Sequence, residues 1–244
     1  SINMGHFYDD PDFSYQDYWK NRDYEHQCEI LAIQNLLDSQ HFNNAVDIGG
    51  GFGRLSQLIS KYCRKTVLVE PSAKQRALAK KLLKDTKIKV LAGLSDKTKL
   101  EDSSVDLAVL VRVMHHLPDL NSTLAEVHRI LKPDGVAIIE FASSLNLKSR
   151  IISWLTGKPI LPVPLDRRRM ANIRQGSIPF VNHHPITFQK TLIRNGFSIQ
   201  KILSVSNFRG LAIKSLRLEK ILQQLLGKLY FGPSIFILAK KESL

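Results

Sequence analysis

The chain predicts an α/β fold in which helices cover both faces of a mainly parallel sheet, and three observations predict it. Short β-rich runs alternate with amphipathic stretches through the middle of the chain, the pattern of repeated βα units. Near-continuous apolar runs such as 105–113 suit strands buried on both faces. The segment 46–53, Val-Asp-Ile-Gly-Gly-Gly-Phe-Gly, closes an apolar run with Asp47 and the alternate glycines Gly49, Gly51 and Gly53, with Gly50 between them; Glu70 ends the next apolar run.

Strands are expected near 44–48, 66–70, 88–92, 105–111 and 135–141, with helices near 54–63, 73–84 and 120–131 between them. The last helix is the clearest, because Leu120, Leu124, Val127 and Leu131 recur at steps of four, three and four before Lys132-Pro133-Asp134-Gly135 turns the chain into a strand. Downstream, 185–195 reads as a helix stopped by Gly196. A strand near 197–205 follows, and 234–239 reads as the last strand. Between these two lies 211–229, with Leu218, Leu222, Leu225 and Leu229 on one helical stripe. Upstream, an aromatic segment containing Phe7, Tyr8, Phe13, Tyr15, Tyr18, Trp19 and Tyr24 leads into a helix near 25–38. No internal repeat or low-complexity tract is present.

At 244 residues, 43% hydrophobic and 23% charged, the composition is that of a globular protein with room for a substantial core. No run approaches the ~18 apolar residues of a membrane-spanning helix, and the acidic, aromatic N-terminal segment is unlike a signal peptide. Ser1–Asn3, ahead of Met4, read as a remnant of cloning. Cys28 and Cys63 both fall in helical patterns and form no metal or redox motif, so a cytoplasmic setting is expected. The net charge of +13 is uneven. Residues 144–244 carry 17 Lys and Arg against 3 Asp and Glu, a charge of +14, which leaves −1 for 1–143. That asymmetry bears on partners rather than on fold.

Glycines after a first strand let a ligand approach the backbone, while the following helix N-terminus directs its amides to the same point. An acid about 20 residues further on is placed to accept hydrogen bonds from ribose hydroxyls. A dinucleotide fingerprint would read G-x-G-x-x-G; here the spacing is G-x-G-x-G with Asp47 two residues ahead, which repels a pyrophosphate and suits a cationic ligand. These residues resemble the class I S-adenosylmethionine-dependent methyltransferases, whose first motif has this form and whose second strand ends in an acid. The resemblance covers 43–143 firmly and 185–241 loosely. It implies a Rossmann-like, seven-stranded, mostly parallel sheet with an antiparallel last strand. The expected organisation is an N-terminal aromatic and helical cap lying over the cofactor mouth (1–42), a cofactor-binding core (43–143), a basic substrate-recognition insertion after the fifth strand (144–184) and a completion of the core carrying an inserted helix (185–244).

The implied cofactor is S-adenosyl-L-methionine, leaving S-adenosyl-L-homocysteine. Gly49–Gly51 would contact its methionine part, Asp47 would place negative potential near the ammonium, and Glu70, with Pro71 behind it, would take the ribose diol. Family members often hold adenine with an acid after the third strand. Aligning Leu100-Glu101-Asp102-Ser103-Ser104-Val105-Asp106 to the family's acidic turn puts Leu94 at that place, leaving the amide of Leu94 or Ser95, or the carboxylate of Asp96, to serve the ring. Arg112-Val113-Met114-His115-His116-Leu117-Pro118-Asp119 is similar to the strand end of small-molecule and quinone-biosynthesis methyltransferases. Either imidazole there is a candidate base, with His116 favoured over His115, or simply packs on the cofactor. The stretch 18–25 is also similar to the N-terminal segment of some class I methyltransferases, with Arg22 beside Tyr18 and Tyr24 placed either to clamp the methionine carboxylate or to lie solvated at a helix start.

Acceptor choice falls to what surrounds this core. The Asn/Asp-Pro-Pro-Tyr/Phe strand end of enzymes that methylate planar amino groups is replaced by Val-Met-His-His, and neither cysteine follows a strand in the Pro-Cys setting, which demotes base methylation. The preferred reading is transfer to an O, N or C atom of a small-molecule or lipid-like acceptor. In the insertion, Trp154 and its apolar neighbours lie among Lys148, Arg150 and Lys158, with Arg167-Arg168-Arg169 following. Three readings stand for this region: a surface that meets anionic membrane or a lipid-like substrate, a phosphate-tracking face for RNA, or a lid with a solvated basic rim. His183 and His184 read as lid or pocket residues without metal partners. The alternatives are an RNA methyltransferase docking through the basic region, a non-catalytic cofactor-binding regulator or scaffold, and, more distantly, a nicotinamide dehydrogenase.

Overall fold

A computed structural model describes residues 8–12, 14–174, 177–211 and 214–242; Phe7 and Phe13 of the aromatic segment, and Ser1–Asn3, lie outside the described residues. The sheet has seven strands: β1 (Phe42–Ile48), β2 (Cys63–Glu70), β3 (Lys89–Ala92), β4 (Val105–Leu110), β5 (Leu131–Ala142), β8 (Phe197–Val205) and β9 (Ser234–Lys241), in the order β3-β2-β1-β4-β5-β9-β8. The first five are parallel, and β9 runs antiparallel to both β5 and β8. This is the Rossmann-like architecture expected from the sequence, with its antiparallel last strand.

Two apolar layers sandwich the sheet. One packs Leu124, Val127 and Ile130 of α5 (Asn121–Ile130) and Phe188 and Leu192 of α8 (Pro185–Arg194) against β4, β5 and β9. The other packs α2 (Asp23–Leu37), through Cys28, Ile33 and Leu37, against the opposite face. Val46, Leu107, Leu110, Ile138 and Ile139 are all buried, as the continuous apolar runs require. The 132–135 turn loops out between two stretches of β5, where the register with β4 shifts.

Two local readings are corrected and one element is added. The expected helix 54–63 is only α3 (Ser56–Ser60), because Gly51 and Gly53, at φ of 58° and 88°, hold the preceding residues in turns. Cys63 therefore opens β2 instead of ending a helix. Inside the insertion, α6 (Leu147–Thr156) is followed by a small antiparallel pair, β6 (Leu165–Asp166) with β7 (Val181–Asn182), joined through α7 (Met170–Arg174) and too short to leave a pattern in the sequence.

The helix of the last hairpin, α9 (Leu216–Leu225), follows the expected span but is turned inside out. Its leucine stripe faces outward, with Leu218 49% and Leu225 67% exposed, while Glu219 and Gln223 are buried. Polar partners set this orientation. Glu219 accepts hydrogen bonds from the amides of Ser206 (2.7 Å) and Asn207 (3.0 Å) and from the Tyr24 hydroxyl (3.0 Å), and Gln223 Nε2 donates to the Cys28 carbonyl (2.9 Å). A buried acceptor holding several donors is costly to remove, because each donor is left desolvated. Glu219→Ala is expected to lower stability by about 3 kcal/mol, whereas Leu225→Ser changes it little; thermal unfolding of the two variants checks the inversion.

Candidate functional site

The chain runs from β1 out to β2 and β3 and returns to enter β4 on the other side of β1. The crevice at the carboxyl ends of β1 and β4 is thus a topological switch point, where open α/β sheets bind ligands. The glycine turn forms its floor. Gly49 and Gly51 lie at φ of 69° and 58°, which side chains other than glycine rarely tolerate. A Cβ at Gly49 would fall 2.6 Å from a methyl of Val113, and one at Gly50 would fall 2.6 Å from Asp47 Oδ2. Gly53 has another job, since a Cβ there would meet Leu83 at 2.8 Å. Asp47 is buried and accepts a hydrogen bond from Ser56 Oγ (2.6 Å); burial pushes its carboxyl up to about 6. Glu70 Oε2 accepts from the Gly51 amide (3.0 Å) and Oε1 from the Ser72 amide (2.9 Å), and burial pushes its carboxyl up to about 7.

The opposite wall comes from the residues after β4. Arg112, at φ of 65°, donates its amide to Glu140 Oε2 (2.9 Å) and its Nε to Glu29 Oε1 (2.7 Å). Glu29, fully buried in α2, also pairs with Arg54, whose guanidinium lies 3.6 Å from the centre of the Trp19 ring. A short 3-10 turn, Met114–His116, then carries both imidazoles inward. The His116 Nδ1 hydrogen bonds the Pro179 carbonyl (2.9 Å), so it carries the proton, and Nε2 accepts from the Tyr8 hydroxyl (2.8 Å). Burial lowers the pKa of His116, and burial followed by the neighbouring His116 lowers that of His115 further. His115 packs between His116 and Phe180, at ring distances of 4.0 and 5.1 Å.

The N-terminal segment closes the cleft from above. Asp9 Oδ1 accepts from Ser72 Oγ (2.6 Å) and the Lys74 amide (2.9 Å) at the start of α4 (Ala73–Leu82), while Tyr8 reaches across to His116. The Tyr15 ring packs edge-on against Tyr8 and Phe52. The cleft, still partly open to solvent, is lined by Tyr8, Tyr15, Glu70, Gln75, Ser95 and His116 over the glycine floor, with Pro71, Arg112 and Val113 also contributing.

The structure thus brings Gly49, Gly51, Glu70, Pro71, Ser95, Arg112, Val113 and His116 to one cleft. Asp47 and Gly50 line an adjoining crevice with Arg54 and Tyr15. Several residues singled out in the sequence are not brought to the cleft. Arg22 lies over the exposed ring of Tyr18 (4.1 Å), so this pair is outside it, and Arg54 and Arg112 occupy the inner positions. Leu94 donates its amide to the Lys97 carbonyl (3.1 Å), which removes the donor suggested for the ring; Asp96 does not line the cleft. His183 donates through Nε2–H to the Met114 carbonyl (2.9 Å), and with His184 it lines a separate cavity beside α8. Tyr8 and Tyr15 line the cleft as part of the aromatic segment expected over its mouth, whereas Gln75 was missed. Gln75, on α4, is buried, and neither Oε1 nor Nε2 has a hydrogen-bond partner among the described residues.

Crevice, glycine floor and strand-end acid define an α/β domain built for a nucleoside ligand. Comparison with known proteins names the family. Residues 46–139 match the family model for a methyltransferase domain. The chain is 25% identical over 147 residues to the ubiquinone/menaquinone biosynthesis C-methyltransferase UbiE of Rubrivivax gelatinosus, covering 55% of this chain and 58% of the relative. It is 26% identical over 116 residues to the sterol 4-C-methyltransferase strm-1 of Caenorhabditis elegans, covering 46% and 34%. The chain therefore spans about half the length of the first of these relatives and a third of the second. An S-adenosylmethionine-dependent methyltransferase from Thermotoga maritima shares the fold, with a TM-score of 0.68 at 18% identity over 98% of this chain and 100% of that one. Residues 46–139 thus form a methyltransferase domain, on a fold shared with S-adenosylmethionine-dependent methyltransferases.

The residues present fit that cofactor. The positive-φ glycines leave a bare-backbone cradle, Glu70 presents two acceptor oxygens at the strand end, and the unpartnered amide of Gln75 faces the same space. Because burial raises the folded pKa of Glu70, the folded state favours its protonated form. That contribution is present below the unfolded value near 4.5 and is lost as pH rises through about 7. The stability of Glu70→Gln relative to the unsubstituted protein is therefore expected to improve as pH rises across this window; unfolding of both proteins from acid to mildly alkaline pH measures it, the histidine contributions cancelling in the difference.

Proposed function

We propose that the chain transfers a methyl group from S-adenosylmethionine to a small or lipid-like acceptor, with a carbon acceptor favoured over oxygen or nitrogen. The single observation that carries the reading is the cleft in which the glycine turn, Glu70 and Gln75 face His116 across one cavity. The names of the quinone and sterol C-methyltransferases to which the chain is similar support the choice of atom.

When bound, the cofactor supplies an electrophilic methyl on a sulfonium. The protein's part is to hold the reactants in line and exclude water. Glu70 accepts the ribose hydroxyls, Gln75 offers a donor and an acceptor to the nucleoside in place of the missing acid, and the backbone of Gly49–Gly51 meets the methionine end beside Asp47. Tyr8 and Tyr15 shut out solvent from above. Neutral His116, its Nδ1–H fixed on Pro179, points the Nε2 lone pair into the cleft, where it can accept the proton an acceptor loses. An orienting carbonyl that fixes the tautomer is what a general base needs.

Incubation with labelled S-adenosylmethionine and a fractionated cell extract tests the reading: label is expected in a lipid or small-molecule fraction, and label in RNA alone would refute it. Glu70→Ala is expected to weaken S-adenosylmethionine binding at least about tenfold by calorimetry. His116→Ala is expected to lower kcat about 100-fold with a smaller effect on cofactor affinity. In the unsubstituted enzyme the lowered pKa of His116 keeps kcat level above about pH 6.5 and makes it fall only at lower pH.

A further inference from the structure

Strands β5 and β8 both end where β9 begins, since Ala142 and Val205 each pair with Ser234. The segments that follow them, with α6 and α9, consequently leave the sheet at the same edge as the cofactor cleft. They are joined there: the Leu147 amide donates to the Phe231 carbonyl (2.9 Å), and the Arg150 guanidinium donates to the Leu229 carbonyl.

Both helices turn apolar side chains to solvent. No residue of α6 is buried, and Leu147, Ile151, Trp154 and Leu155 recur at helical spacing, with Trp154 83% and Leu155 69% exposed. On α9 the exposed set is Leu218, Ile221 and Leu225, held outward by the buried Glu219. The charge around these stripes is of one sign. Lys148, Lys158, Arg217, Lys220 and Lys228 form no ion pair among the described residues. The three acids of 144–242 leave that charge unopposed. Asp166 is paired with Arg168, Glu219 is buried, and Glu242 follows the far end of β9.

We propose that α6 and α9 form a two-helix foot that seats this edge of the molecule on an anionic lipid bilayer, with Trp154, Leu155 and Leu225 entering the headgroup region and the lysines meeting lipid phosphates. Basic rim around apolar stripe is the complement of such a surface. A second copy would set like charge against like charge, and RNA gains no stacking from leucine or isoleucine. Docking turns the mouth of the cleft toward the lipid, so a lipid-like acceptor reaches it without crossing water; this consequence, though not the docking itself, rests on the reading given under Proposed function.

Flotation of the full chain tests it with vesicles of phosphatidylcholine alone and with about one-third phosphatidylglycerol. Binding is expected only to the anionic vesicles, to weaken as salt rises, and to shift the emission of Trp154 to the blue, because the other tryptophan, Trp19, is already buried. Trp154→Ser combined with Leu225→Ser is expected to weaken binding at least tenfold, and Lys148→Glu or Lys220→Glu about fivefold each, with cofactor affinity unchanged as the control for folding. Several results would overturn docking: no flotation, equal binding to both vesicles, a dimer in sedimentation that dissociates in Trp154→Ser/Leu225→Ser, or RNA binding that excludes the vesicles. A protein that floats as expected but methylates nothing in the vesicle upholds docking and overturns the acceptor reading instead.

Discussion

One buried carboxylate, Glu29, holds together parts of the chain that local structure would leave independent. It sits in the helix preceding the first strand and pairs with Arg54, from the turn after β1, and with Arg112, from the end of β4. The same Arg112 fixes its own backbone on Glu140 of β5, which in turn accepts from Ser234 at the start of β9. Cap, glycine turn, histidine turn and last hairpin therefore share one ionic chain. Two guanidiniums this deep are tolerable only because the carboxylate is present; without it, both would be stranded out of water. The Trp19 ring, against which Arg54 lies, closes the network from outside.

That network explains why the two walls of the cleft keep their spacing before any ligand arrives. The floor is set by backbone conformation and the far wall by charge, and neither depends on a flexible side chain. Glu70 adds a third restraint by bonding Gly51 and Ser72 at once, so that the strand-end acid already lies against the turn it must serve. Desolvation of Glu70 and Asp47 is the cost of this readiness, visible in carboxyls displaced toward neutrality.

What the sequence disclosed was what neighbours along the chain decide. Strand and helix positions followed from periodicity, and the β8 span was read to the residue, because burial on one or two faces writes itself into local pattern. The glycines and Glu70 were legible since their backbone and strand-end roles are local too. Gln75 and Glu29 were not, nor was the bond that ties Tyr8 to His116. Each role depends on residues far away in sequence, and Gln75 and Glu29 look, in sequence, like ordinary polar surface residues. The inversion of α9 was hidden for the same reason: its leucine stripe has the periodicity of a core-facing helix, and only the donors of Ser206, Asn207 and Tyr24, waiting on the inner side, turn Glu219 inward.

The bond between Tyr8 and His116 makes the N-terminal segment an occupant of the reaction chamber as well as its roof. Nε2 has one lone pair, and the phenol holds it. Any molecule that is to give a proton to that nitrogen has first to evict Tyr8, whose neighbour Asp9 stays moored on Ser72 and Lys74. With His116 as the proposed base, admission of the acceptor and exposure of that base become a single event, and a visitor too small or too poorly matched to replace the phenol leaves the imidazole plugged.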